Sequence, residues 1–138
     1  MLTLASNYET DGFSHRSNLA NLNTLIIDDQ GSMRAKIRRL LQAKGIRKTI
    51  EAPDGIVAFD LLMDPCVASV QRIICDLTIH RDEGLQFCTR VRRTKTTKIR
   101  RTPIILLTAQ PDQVIVDIAL KIGGIDIATK PISAEGLG

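Results

Sequence analysis

From residue 23 onward, short apolar runs alternate with stretches in which apolar positions recur every three or four residues. Leu25, Ile26 and Ile27 form a run unbroken by polar positions, the pattern of a strand buried on both faces. Behind it, Met33, Ile37, Leu40 and Leu41 recur at helical spacing from a candidate cap at Ser32, and Gly45 is placed to end that helix. The alternation repeats down the chain. It predicts strands over 49–52, 72–75, 104–107 and 125–129, the first of these the weakest, and helices over 56–63, 83–92 and 113–122, the last followed by Gly123 and Gly124. Strands and helices in strict turn predict βα units and a parallel sheet covered by helices. Residues 1–21 show no period and read as a flexible arm, leaving 22–138 as the folded domain.

The polar residues of interest all fall where strands end. Strand one runs into Asp28 and Asp29, strand three into Asp76, strand four into Thr108 and strand five into Lys130. In open α/β sheets that carboxyl edge is where ligands bind. Three carboxylates on adjacent strands repel one another, and a cation among them relieves the repulsion. A donor set of oxygens with no His or Cys suits Mg²⁺. With Lys130 and the Thr108 hydroxyl on the other side, the set suits phosphoryl chemistry. Asp76 is then the candidate to attack phosphorus and carry an acyl phosphate.

Composition narrows the alternatives. A length of 138 residues allows one domain of ordinary size. With 43% apolar residues a packed core is possible, but aromatics at 3%, with no Trp and one Tyr, make it aliphatic and leave little for a base-stacking platform. The longest apolar run, about 104–107, is far below the ~20 residues of a membrane helix, so no membrane span is expected. The opening MLTLASNYET has neither a basic start nor a long apolar stretch, which predicts a cytoplasmic protein. Cys66, Cys75 and Cys88 fit no metal or disulfide spacing and read as inert thiols, and His15 and His80 alone cannot build a His-rich metal site. Neither GxxxxGK[ST] nor GxGxxG occurs, and no Ser/His or Cys/His pair suggests acyl transfer. The net charge of +4 is concentrated in seven basic residues over 90–101, read as a solvated helix end and loop; nucleic acid is not an expected partner.

As an ordered set, LIIDDQ, EAPDG with Ala58 and Leu61 behind it, IICDLTIHRDEGL, TPIILLTA and GGIDIATKPI resemble the receiver domain of bacterial two-component response regulators, over residues 22–137. The resemblance implies a flavodoxin-like, doubly wound, five-stranded parallel sheet of strand order 2-1-3-4-5. It implies that Asp76 is the phosphoacceptor and that Asp28 and Asp29 are the acidic pair for Mg²⁺. Asp29 and Asp76 would be direct ligands, Asp28 would act through water, and Thr78 would offer its backbone carbonyl. Thr108 and Lys130 would contact the phosphoryl oxygens, Thr78 and Gln110 would tune the phosphate's lifetime, and the bond from Lys130 to Pro131 would be cis.

The implied function is a signalling phosphoacceptor with weak self-dephosphorylation, not a turnover enzyme. It takes its phosphoryl group from a histidine kinase or histidine phosphotransfer protein and switches the binding of an output protein. A receiver fold working unphosphorylated as a scaffold is the alternative, motivated by three departures: His80 stands where the family often has proline, Glu83 where it often has aspartate, and Ile127 where it usually has Tyr or Phe. The helix that closes the family fold after the Lys-Pro pair is expected to be short or missing, because eight residues follow Lys130 and Gly136 and Gly138 are poor helix formers. Its loss would favour either a homodimer or the N-terminal arm folding over the gap, to cover the strands left open.

Overall fold

The computed structural model describes residues 21–77 and 81–130. In chain order the elements are β1 (Asn23–Ile27), α1 (Gly31–Ala43), β2 (Lys48–Ala52), α2 (Gly55–Met63), β3 (Arg72–Asp76), α3 (Arg81–Arg93), a single turn α4 (Thr97–Arg100), β4 (Ile104–Thr108), α5 (Gln113–Ile122) and β5 (Ile125–Thr129). All five strands are parallel, in the order β2-β1-β3-β4-β5, which is the flavodoxin-like arrangement expected. The winding direction reverses between β1 and β3, so a crevice opens above the carboxyl ends of those two strands.

Side chains alternate across the sheet and make two aliphatic layers. Leu25, Ile27, Ile73 and Cys75 face Phe59, Phe87, Val91 and Ile115 on one side, while Ile26, Ile74, Ile105 and Leu107 face Ile37 and Leu41 of α1 on the other. β1 and β4 are buried along their whole length, whereas β2 and β5, at the edges, are only partly covered. That difference explains why strand two is weak in the sequence pattern: an edge strand needs fewer apolar positions.

α1 ends as predicted. Gly45 takes a φ of +96°, its N–H bonds to the Gln42 carbonyl and the Ile46 N–H reaches back to Leu41, whose side chain shares a core layer with Ile46. The start of α1 differs from the expected Ser32 cap. The helix begins at Gly31 behind Gln30, because the Asp28 side chain accepts the Gln30 N–H at 2.8 Å and turns the chain two residues earlier. Asp54 and Asp112 cap α2 and α5, accepting the Val57 and Ile115 N–H groups at 2.9 and 3.0 Å.

The basic segment departs most from expectation. It contains α4, a fifth helix among the described residues, and Arg92 is no solvated charge. Its Nε donates to the Gly123 carbonyl at 2.9 Å, Nη1 to Arg100 and Thr102 at 3.0 and 2.7 Å, and Nη2 to Gly124 at 2.8 Å. One guanidinium thus ties α3 to the chain entering β4 and β5. Arg90 lies 3.9 Å over the Phe59 ring and Lys98 Nζ donates to Ser69 Oγ at 2.8 Å, while Arg93, Lys95 and Arg101 remain exposed. Among the described residues no helix is long and apolar enough to cross a membrane. The arm before residue 21, the bond to Pro131 and the helix expected to be short or missing after β5 lie outside the described residues.

Two outcomes are expected. Arg92→Ala removes hydrogen bonds to four carbonyls and should cost about 2 to 4 kcal/mol in urea unfolding, with Arg92→Lys recovering less than half, since an ammonium lacks the planar fork. Burial pushes the Cys75 thiol well above the usual range and the Cys88 thiol up to about 12, so a thiol reagent should titrate Cys66 alone in the folded chain and all three cysteines in denaturant.

Candidate functional site

The crevice at the β1/β3 switch holds the acidic residues. Ile27 pairs with Cys75 in the register, so Asp28 and Asp76, the next residues on, stand level at the strand ends. Both are buried: Asp28 is 5% exposed and the Asp76 side chain 7%. Lys130 arrives from the far side of β4. Its N–H bonds to the Thr108 carbonyl at 2.9 Å, carrying the ladder one residue past β5, and its Nζ donates to Asp76 Oδ2 at 2.5 Å. Asp28, Asp29, Asp76 and Lys130 line one cavity of about 70 Å³, with Asp54 and Glu83 also contributing to its wall. That is room for a few water-sized groups. Gly84 lets α3 start hard against β3, because a Cβ there would lie 2.3 Å from Leu77 Cδ2.

The charges in this cavity are out of balance. Asp76 has Lys130. Asp28 Oδ1 accepts the Gln30 N–H, and among the described residues its buried Oδ2 has no hydrogen-bond donor. Burial, and next the neighbouring Asp76 carboxyl, push the Asp28 pKa up from 3.8 to about 7, with the Gln30 N–H opposing. A buried carboxylate oxygen without a donor is costly and is relieved by a proton or a cation. Among the described residues no set of three or more acidic, His or Cys side chains stands ready-made around a metal ion. The chemistry of the donors nonetheless fits a hard divalent cation: the unsatisfied Asp28 Oδ2, Asp76 across the crevice, and Asp29 exposed beside them, all oxygen.

Of the residues singled out in the sequence, Asp28, Asp29, Asp76 and Lys130 come together. Thr108 is at the same sheet edge and buried, but it does not line the cavity; its hydroxyl accepts the Gln110 N–H at 3.2 Å. Thr78 lies outside the described residues, as does His80. Two neighbours of the site escaped the sequence reading. Asp54 caps α2 and lines the cavity, and Arg34 of α1 donates to the Asp28 carbonyl at 2.6 Å and to Glu51 Oε1 at 3.1 Å. The available signal was an acid at the end of a thin edge strand facing arginines four apart on a helix.

The family model of the response regulator receiver domain matches residues 24–138. A chemotaxis protein CheY homolog of Campylobacter jejuni is 32% identical over 113 residues, which cover 82% of this chain and 84% of that protein. The cyclic di-GMP phosphodiesterase response regulator RpfG of Xanthomonas campestris pv. campestris is 34% identical over 133 residues, 96% of this chain but 34% of that longer protein. Among solved structures, the chemotaxis protein CheY4 of Vibrio cholerae superposes with a TM-score of 0.72 at 26% identity, covering 84% of this chain and 92% of the other.

The Asp28 environment has a measurable consequence. A carboxyl whose folded pKa lies above its unfolded value stays protonated in the fold while the unfolded chain ionises, so stability falls as pH rises from about 4 to about 7. Asp28→Asn should remove that penalty. In metal-free protein it is expected to stabilise the fold by roughly 1 to 3 kcal/mol at pH 7.5 and by much less near pH 4, read as melting temperature against pH. A variant no more stable than wild type at pH 7.5 would show that Asp28 carries no such burden.

Proposed function

This chain belongs to the response regulator receiver domain family, and on that premise we propose that it accepts a phosphoryl group on Asp76 from a histidine kinase or histidine phosphotransfer protein and passes the change to an output protein. The observation that carries the reading is a carboxylate at the end of the central strand, 2.5 Å from a lysine ammonium and sharing its cavity with a second, buried carboxylate one of whose oxygens lacks a donor.

In the proposed transfer an Asp76 oxygen attacks the phosphorus of a phosphoimidazole. The P–N bond breaks, its electron pair stays on the imidazole nitrogen, and the carboxyl becomes an acyl phosphate. Lys130 holds charge on the phosphoryl oxygens as the bond forms. Asp28, Asp29 and Asp76 would hold Mg²⁺, with the backbone carbonyl of Thr78 as a further ligand. When bound, the ion neutralises the acidic cluster and the incoming phosphoryl oxygens. The phosphorylated side chain carries about −1.5 to −2 charge and three acceptor oxygens. Thr108, at the same sheet edge, would register it: its hydroxyl accepts from Gln110, which leaves the hydroxyl proton to donate toward the new group and would pull on the loop leading to α5.

This is a phosphoacceptor with weak self-dephosphorylation, not a turnover enzyme. The cytoplasm suits its three free thiols. Ile127, partly buried against the core on β5, is the observation that favours the second reading, a scaffold that needs no phosphate, because an aliphatic side chain there has no ring to reorient.

Acetyl phosphate with Mg²⁺, followed by intact mass, separates the readings. The wild-type chain should gain one phosphoryl group, Asp76→Asn none, and Lys130→Ala should react at least about tenfold more slowly. A wild-type chain that stays unmodified, while Asp76 and Lys130 remain folded in place, would leave the scaffold reading standing.

A further inference from the structure

Resting on that reading, we propose that Arg34 is a positioning residue: clamped by Glu51, it fixes the peptide that joins Asp28 to Asp29 and thereby sets how the acidic pair faces the cavity. Only residues 28–30 separate β1 from α1, so a single peptide plane orients both carboxylates. Arg34 holds that plane. From the first turn of α1 its Nη1 donates to the Asp28 carbonyl at 2.6 Å, and that carbonyl belongs to the peptide whose nitrogen is Asp29's. Its Nε donates to Glu51 Oε1 at 3.1 Å, and Arg38, one turn further along α1, donates to the other Glu51 oxygen.

The amide on the other side of Asp28 is tied to the same strand, since the Asp28 N–H bonds to the Ala52 carbonyl at 3.1 Å. Both main-chain groups of Asp28 are therefore anchored to the last two residues of β2, one directly and one through the guanidinium. Arginine suits the task and lysine does not: two nitrogens of a rigid plane reach two acceptors at a fixed angle. A half-buried ion pair between α1 and β2 contributes little by itself. Arg34 is different from Arg38 because one of its two acceptors is the backbone of the site. Arg38 touches Glu51 without touching Asp28, and so serves as the control that a purely structural role would not distinguish from Arg34.

The test compares the full chain with Arg34→Ala, Arg34→Lys, Glu51→Gln and Arg38→Ala. Mg²⁺ affinity is read by titration calorimetry, and exchange of the Asp29 and Gln30 amides by NMR in metal-free protein. Groups behind metal ligands typically change affinity about 10- to 100-fold, so Arg34→Ala should weaken Mg²⁺ at least about tenfold while Arg38→Ala stays within about twofold at a comparable melting temperature. Arg34→Lys should lie nearer to Arg34→Ala than to wild type, and Glu51→Gln between them. Both amides should exchange faster in Arg34→Ala and not in Arg38→Ala. Equal losses in Arg34→Ala and Arg38→Ala, or full rescue by lysine, overturn the proposal. A wild-type chain that binds no Mg²⁺ defeats the proposed function instead; the amides alone then decide Arg34, and unchanged exchange there overturns it.

Discussion

Two carboxylates buried side by side at the ends of β1 and β3 repel each other, and much of the architecture around them manages that repulsion. Lys130 offsets Asp76 by crossing behind β4. The Gln30 N–H offsets half of Asp28, and the other half stays open, with its pKa driven up to about 7. Burial is the reason the arrangement is both costly and useful. In water two such groups would be screened, whereas in a crevice walled by β1, β3 and α3 their demand for positive charge falls on whatever enters. A folded domain that retains an unmatched carboxylate gives up stability to keep a site ready.

The parallel sheet makes this placement possible without special loops. Every strand in it points the same way, so every strand end reaches one edge, and the reversal between β1 and β3 parts the helices there. Residues far apart in sequence meet because their strands end at one edge: Asp76 and Lys130 are 54 positions apart, the register sets Asp76 level with Ala128, and the lysine side chain two residues on reaches back to Asp76 across the end of β4. Gly84 then allows α3 to close the wall behind Asp76, where a Cβ would have to push the buried Leu77 side chain aside.

Much of this was legible in the sequence because the physics involved is periodic or terminal. Fully buried strands announce themselves as apolar runs, as in Leu25 to Ile27 and Ile104 to Leu107, and site residues follow such runs directly. What escaped was of another kind. Ser32 was read as a cap because its residue type is a good one, but the Asp28 side chain had already turned the chain. Arg92 was read with its charged neighbours because a run of like charges carries no mark of the one member that meets four carbonyls. Arg34 and Glu51 escaped although two arginines four apart on a helix and an acid near the end of β2 were there to be seen, because their pairing depends on tertiary approach, which no local spacing encodes. Thr108 was placed correctly at its strand end, but sequence could not say that its hydroxyl would accept the Gln110 N–H or that the residue would fall outside the cavity lining.

The Arg92 clamp couples two positions in a way that bears on how such a chain can diverge. Gly124 has a φ of +66°, and a Cβ on it would come within 2.7 Å of Arg92 Nη2. Any side chain at position 124 therefore strains the backbone and also evicts the guanidinium that four carbonyls rely on. Conversely, a shorter residue at position 92 removes the crowding but takes a donor away from each of those carbonyls. Neither site can change first without loss, so the effects of substitutions at 92 and 124 are coupled and will not add.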